Sequence, residues 1–124
     1  MTNDRRSELL AYAISSVDHW WRVLAKLYPR IKAQPSVVIS KRMTKTAGFM
    51  IVGDRQMRLS YALMLANLED YHKDTIPHEL AHQVAYDIYG IGKEKSGRTP
   101  WHGAEWQGIM KTLGIKPTRT HDYL

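Results

Sequence analysis

The stretch from Thr75 to Tyr89 constrains the fold more than any other part of this chain. Leu80, Ala81, Val84 and Ile88 recur at helical spacing and make one apolar face, which Ala85, Tyr86 and Tyr89 continue around the cylinder; only Gln83 and Asp87 form a clearly polar stripe. A helix of that composition has to be buried on most sides. It carries two imidazoles and a carboxylate inside with it, at His78, Glu79 and His82. Thr75 or Asp74 can cap its start, Pro77 is tolerated in the first turn and Gly90 is a natural stop, which predicts a helix over roughly 75–89.

The remaining pattern predicts one α+β domain spanning residues 1–124. At 124 residues, 44% hydrophobic and 24% charged, the chain suits a single core and neither a disordered nor a fibrous class. Leu10, Ala13, Ile14, Val17, Trp20, Trp21, Leu24, Leu27 and Tyr28 recur every three or four positions, so residues 4–28 read as a long amphipathic helix ended by Pro29. Segments 36–40, 47–52 and 56–60 have strand composition. The breaks at Thr44-Lys45-Thr46 and Gly53-Asp54-Arg55 are turn-like, and the expectation is a three-stranded antiparallel meander. A short helix follows from Tyr61 to near Asp70. Residues 90–100 read as a connecting loop, and Trp101 to Leu113 as a last helix.

His78 and His82 stand four apart, so on a helix their rings lie one turn from each other on the same side and can reach one ion together. Glu79 points about 100° away around the axis; it cannot ligate from the same direction, but it can hydrogen-bond a water held there and act as a general base. A catalytic zinc takes three protein ligands and keeps one position open. The chain has no cysteine, so ligands must be His, Asp or Glu, and disulfides are excluded. By spacing, His102 is the natural third ligand and Glu105 its rival. His19 and His72 read as surface or packing residues, and His121 could reach back to the site.

The net charge of +6 is unevenly placed. Arg22, Lys26, Arg30, Lys32, Lys41, Arg42, Lys45, Arg55 and Arg58 face a single acid, Asp54, across residues 22–58, a basic stretch that could meet DNA or simply be a solvated surface. Residues 68–89 are acidic by contrast, with Glu69, Asp70, Asp74, Glu79 and Asp87 against Lys73. The N-terminal residues read neither as a signal peptide nor as a spanning helix, so a cytoplasmic location and no membrane partner are expected.

The runs Pro77-His78-Glu79-Leu80-Ala81-His82 and Trp101-His102-Gly103-Ala104-Glu105-Trp106, with Leu113-Gly114 and Arg119-Thr120-His121, resemble the SprT-like family, whose relatives include the Spartan DNA–protein crosslink proteases. The likeness extends upstream through Thr46-Ala47-Gly48 and Met57-Arg58-Leu59-Ser60. It implies a compact, zincin-like metallopeptidase fold of helices on a small antiparallel sheet. It also implies His78, His82 and His102 as zinc ligands, Glu79 as the catalytic base, and a supporting role for Glu105. Members often carry a cysteine-rich zinc ribbon after the peptidase domain, and none is present in these residues.

Expected, then, is zinc-assisted hydrolysis of peptide bonds in a protein or peptide substrate, with Tyr86, Arg98, Arg119, His121 and Tyr123 as candidates for the further hydrogen-bond donor. A strand edge could align an extended substrate by main-chain pairing. The rival is a nucleic-acid-binding protein with a structural or vestigial zinc. Closed structural sites usually use four ligands, often with cysteine, and this composition leans away from that.

Overall fold

A computed structural model describes residues 4–90 and 102–117. Helix α1, Arg6–Leu27, buries Ala13, Val17, Trp21 and Leu24 of the expected stripe, with Leu9 in place of the half-buried Leu10, while Ile14 and Leu27 are exposed. Each buried side chain contributes about 1.5–3 kcal/mol relative to exposure when it is of leucine size. The helix ends as Tyr28 N–H bonds back to the Leu24 carbonyl at 2.7 Å, just before Pro29.

Strands β1 (Ser36–Ser40), β2 (Gly48–Ile51) and β3 (Gln56–Ser60) form one sheet in the order β1-β3-β2. β2 and β3 are the expected antiparallel hairpin, but β1 pairs with β3 in parallel, with Ile39 opposite Leu59. The sheet is therefore mixed, and the antiparallel meander is corrected. The cause lies in the connection from Ser40 to Gly48, which is far longer than the three-residue turn expected at Thr44-Lys45-Thr46. It can cross two strand spacings, about 9.5 Å. Ser60 holds it over the end of β3, donating from its backbone to the Ala47 carbonyl at 3.0 Å and from its hydroxyl to the Met43 carbonyl at 2.7 Å.

The inner face of the sheet presents Met57 and Leu59 from the central strand, flanked by Ile39 and Met50. Gly48 sits opposite Leu59 because nothing larger fits: a Cβ there would lie 2.8 Å from Leu59 Cδ2 and 3.0 Å from the Arg58 carbonyl.

After β3 the chain turns into α2 (Tyr61–Ala66), capped by the Ser60 hydroxyl, which accepts from Leu63 N–H at 3.2 Å. Then α3 (Leu68–Asp70), a π-helical turn (Tyr71–Thr75) and α4 (Ile76–Tyr89) run on without a break. Thr75 has helical angles (φ −59°, ψ −50°), so neither it nor Asp74 starts α4 as a cap. The wide turn is explained by Pro77. Ile76 N–H bonds to Tyr71 five residues back, and in that pattern the His72 carbonyl would look to residue 77, which has no N–H to give. The Trp20 indole of α1 supplies the donor instead, at 2.8 Å.

Helix α4 packs against α1, β2 and the last helix, α5 (Ala104–Thr112), and every residue from Ile76 to Ala85 is buried. It ends on Gly90 at φ +71°, a left-handed cap closing on the Ala85 and Tyr86 carbonyls. α5 begins at Ala104. Trp101 and residues 91–100 of the expected connecting loop lie outside the described residues, as do His121, Arg119 and Tyr123.

Candidate metal centre

The polar stripe of α4 is where its burial could have failed. Gln83 is fully enclosed and donates to the Val52 carbonyl at 3.2 Å, reaching the hairpin turn. One turn on, the Asp87 side chain, only 1% exposed, receives Arg55 through two bonds, at 2.7 and 2.9 Å. Lys32 N–H and Gln83 complete the ring around that carboxylate, at 3.0 and 3.2 Å. Burial pushes the Asp87 carboxyl up, but the Arg55, Lys32 and Gln83 bonds outweigh it, and the group titrates below its ordinary range. Arg55 itself takes φ +52° in the turn and also donates to the Ala33 carbonyl. This clamp fixes the rotation of α4 against the sheet.

With α4 so held, His78 and His82 turn toward the start of α5. His78 is 2% exposed and His82 1%, while His102, just ahead of α5, is half-buried. The Nε2 atoms converge: His82 to His102 is 3.1 Å and His102 to His78 is 3.2 Å. A neutral imidazole offers one N–H and one lone pair, so three ring nitrogens facing one another cannot all satisfy each other. A cation between them can accept all three lone pairs. Four-coordinate zinc with nitrogen ligands at 2.0–2.1 Å sets its donor atoms about 3.3 Å apart, close to what is found, and the donor set fits the ion. Among the described residues these three alone make such a group, with their donor atoms within 4.8 Å of one another. Glu105, the rival ligand, is not in it.

Trp106 was not singled out for the site by sequence reasoning, and the structure places it under all three rings. It is fully buried, stacks on His82 at 5.3 Å and 15°, and meets His78 and His102 edge-on, each at 4.7 Å. Its indole N–H donates to the His78 carbonyl at 3.1 Å. Nothing in the sequence marked it, since it falls in the apolar pattern of the last helix like any core indole. Gln107 adds a bond to the His102 carbonyl at 3.0 Å. Glu79 is 3% exposed, with Oε2 3.7 Å from His78 Nε2.

The remaining expected residues separate from this cluster. His19 and His72 lie together, packed around Trp20. Of the basic stretch, Arg55 is held by Asp87, Arg22 pairs with Asp18 at 3.1 Å and Lys41 with Asp4 at 2.7 Å. Arg30, Lys32, Arg42 and Lys45 are exposed. No helix among the described residues is long and apolar enough to cross a membrane.

A buried helix bearing two histidines four apart, a third histidine just ahead of the next helix and a small mixed sheet define an α+β domain with a three-histidine site able to hold a metal ion. The SprT-like family model matches residues 19–121, and the chain belongs to that family. Among curated relatives, Protein SprT of Vibrio parahaemolyticus is 34% identical over 90 residues, covering 72% of this chain and 50% of that protein. Protein SprT of Pseudomonas savastanoi pv. phaseolicola is 31% identical over 110 residues, 88% of this chain and 63% of its own length. Protein SprT of Klebsiella pneumoniae (strain 342) is 33% identical over 92 residues, 73% and 51% respectively. The chain thus spans from half to less than two thirds of these relatives. No solved structure gives a significant match.

Proposed function

We propose that the chain is a zinc-dependent metallopeptidase in which His78, His82 and His102 hold the ion and Glu79 is the general base. The observation that carries this reading is a buried carboxylate beside three convergent imidazoles: Glu79 Oε2 lies 3.7 Å from His78 Nε2. A zinc ion held by that donor set would supply a Lewis acid that makes water a nucleophile near neutral pH and polarises a peptide carbonyl.

The protein's own part is to hold and move protons. At 3.7 Å from His78 Nε2, the Glu79 carboxylate borders the donor cluster. From there it can accept a proton from an attacking water and return it to the leaving amine. Trp106 and the enclosed wall of α4 exclude bulk water from below and behind, which strengthens each charge interaction inside. β2 is an edge strand of the sheet and packs on α4, so its outer main chain would offer an extended substrate a pairing edge beside the site.

DNA-associated proteins are the proposed substrate class, supported by the exposed cations Arg30, Lys32, Arg42 and Lys45. The test is cleavage of a denatured protein and of a protein–DNA conjugate, with and without single-stranded DNA, by the parent and by Glu79→Gln. The variant should keep stoichiometric zinc and lose about 10²–10⁴-fold in rate. A variant that cleaves as fast as the parent would remove Glu79 from the mechanism. If neither protein cleaves, yet salt-sensitive DNA binding disappears with Lys41/Arg42/Lys45→Ala, a nucleic-acid-binding role with a structural or vestigial zinc replaces this reading.

A further inference from the structure

Away from the three-histidine cluster, α1 and the π-helical turn enclose a solvent-open cavity of about 310 Å³, lined by Tyr12, Ser15, Ser16, His19 and His72. Four of these residues fall at helical spacing on one face of α1, and His72 faces them from the turn. We propose that His19 and His72 form a second, weaker binding site for a borderline divalent transition-metal cation of the zinc, nickel or copper(II) class.

The spacing of the two rings is close to that in the first site. The His19 and His72 ring centroids are 5.5 Å apart and inclined at 50°, against 4.6–5.2 Å and 64–68° among His78, His82 and His102. His72 is not free to swing away. Its Nδ1 is 2.7 Å from the Ser16 hydroxyl and its carbonyl is taken by the Trp20 indole, so the turn that Pro77 imposes also sets the ring. With Nδ1 donating its proton to the Ser16 hydroxyl, Nε2 is the ring nitrogen left to ligate.

His72 is held in the protonation state that a cation needs. Burial first, then the neighbouring His19 and Lys73, holds His72 below the usual imidazole range, so at neutral pH it is an uncharged lone-pair donor. Lys73 is itself engaged by Glu69 at 2.5 Å, Asp74 belongs to the same turn and Asp70 is the residue just before it. Two imidazoles with water completing the shell suit nitrogen-seeking ions, with copper(II) bound most tightly of the series. An ion there would tie α1 to the segment that leads directly into α4.

Calorimetric titration of the metal-free protein with zinc chloride tests this independently of the first site. The parent should take up one equivalent more than His19→Ala or His72→Ala does, and the ring resonances of His19 and His72 should move together as that equivalent binds. His19 is exposed, so His19→Ala folds even if loss of the Ser16 contact weakens His72→Ala. Equal stoichiometry in parent and His19→Ala, or unmoved His19 and His72 resonances, overturns the proposal. Because the comparison is a difference between parent and variant, it holds whether or not His78, His82 and His102 bind zinc.

Discussion

The indole N–H of Trp106 reaches the backbone carbonyl of His78 at 3.1 Å while the same ring lies flat against His82. One side chain from α5 thereby fixes the main chain of one candidate ligand and the ring plane of another. Trp106→Phe keeps an aromatic floor and removes the donor. It should weaken zinc binding by about 10-fold, the lower end for loss of a group supporting metal ligands, with a stability cost of about 1 kcal/mol. Competition with a chromophoric chelator reads the affinity and urea unfolding the stability. A purely packing role would move only the second. Trp106→Ala, emptying a fully buried site, should cost about 3–5 kcal/mol.

The Asp87–Arg55 pair makes a prediction about acid. Asp87 has a folded pKa below its unfolded value, so the stability it contributes is complete above the unfolded pKa of about 3.9 and is lost as pH falls through the folded one. Asp87→Asn should destabilise the domain by about 2–4 kcal/mol at pH 7, less than for a deeply buried pair because the Arg55 side chain keeps 23% exposure. The difference between parent and variant should shrink below pH 4. Urea midpoints measured from pH 7 down to pH 2 check both statements; a constant difference across that range would contradict them.

Gly48→Ala places a methyl against Leu59 and the Arg58 backbone, where only the side chain can yield. A loss of about 1–3 kcal/mol is expected from thermal or urea unfolding. Gly53→Ala is the control, since a Cβ there meets nothing within 4 Å. A Gly48→Ala protein as stable as the Gly53→Ala protein would show that the sheet does not need that close approach.

The helix with the two histidines was legible because periodicity, a tolerated proline and a terminal glycine all agree over residues 76–90, and the third histidine by resemblance more than by spacing. The strands were legible as strands. Their pairing was not, because composition marks extended segments and says nothing of which edges meet; the long stretch before Gly48 allowed β3 to take the centre. The π-helical turn was hidden because its support comes from Trp20, fifty-two positions away. Gln83 and Asp87 read as a polar stripe, and only Arg55 and the Val52 carbonyl, brought from the hairpin, make their burial affordable. Trp106 looked like one more apolar residue in a helix pattern, since nothing local distinguishes a core indole from one that floors a site.

Metal content of the purified, dialysed protein, compared with His102→Ala and Glu105→Ala, bears most directly on the three-imidazole centre. The parent and Glu105→Ala should each retain one tightly held zinc per chain, and His102→Ala should lose it or bind at least about 100-fold more weakly. Parent-like zinc retention in His102→Ala, or loss of the ion in Glu105→Ala alone, would contradict the assignment of His78, His82 and His102 as the metal ligands.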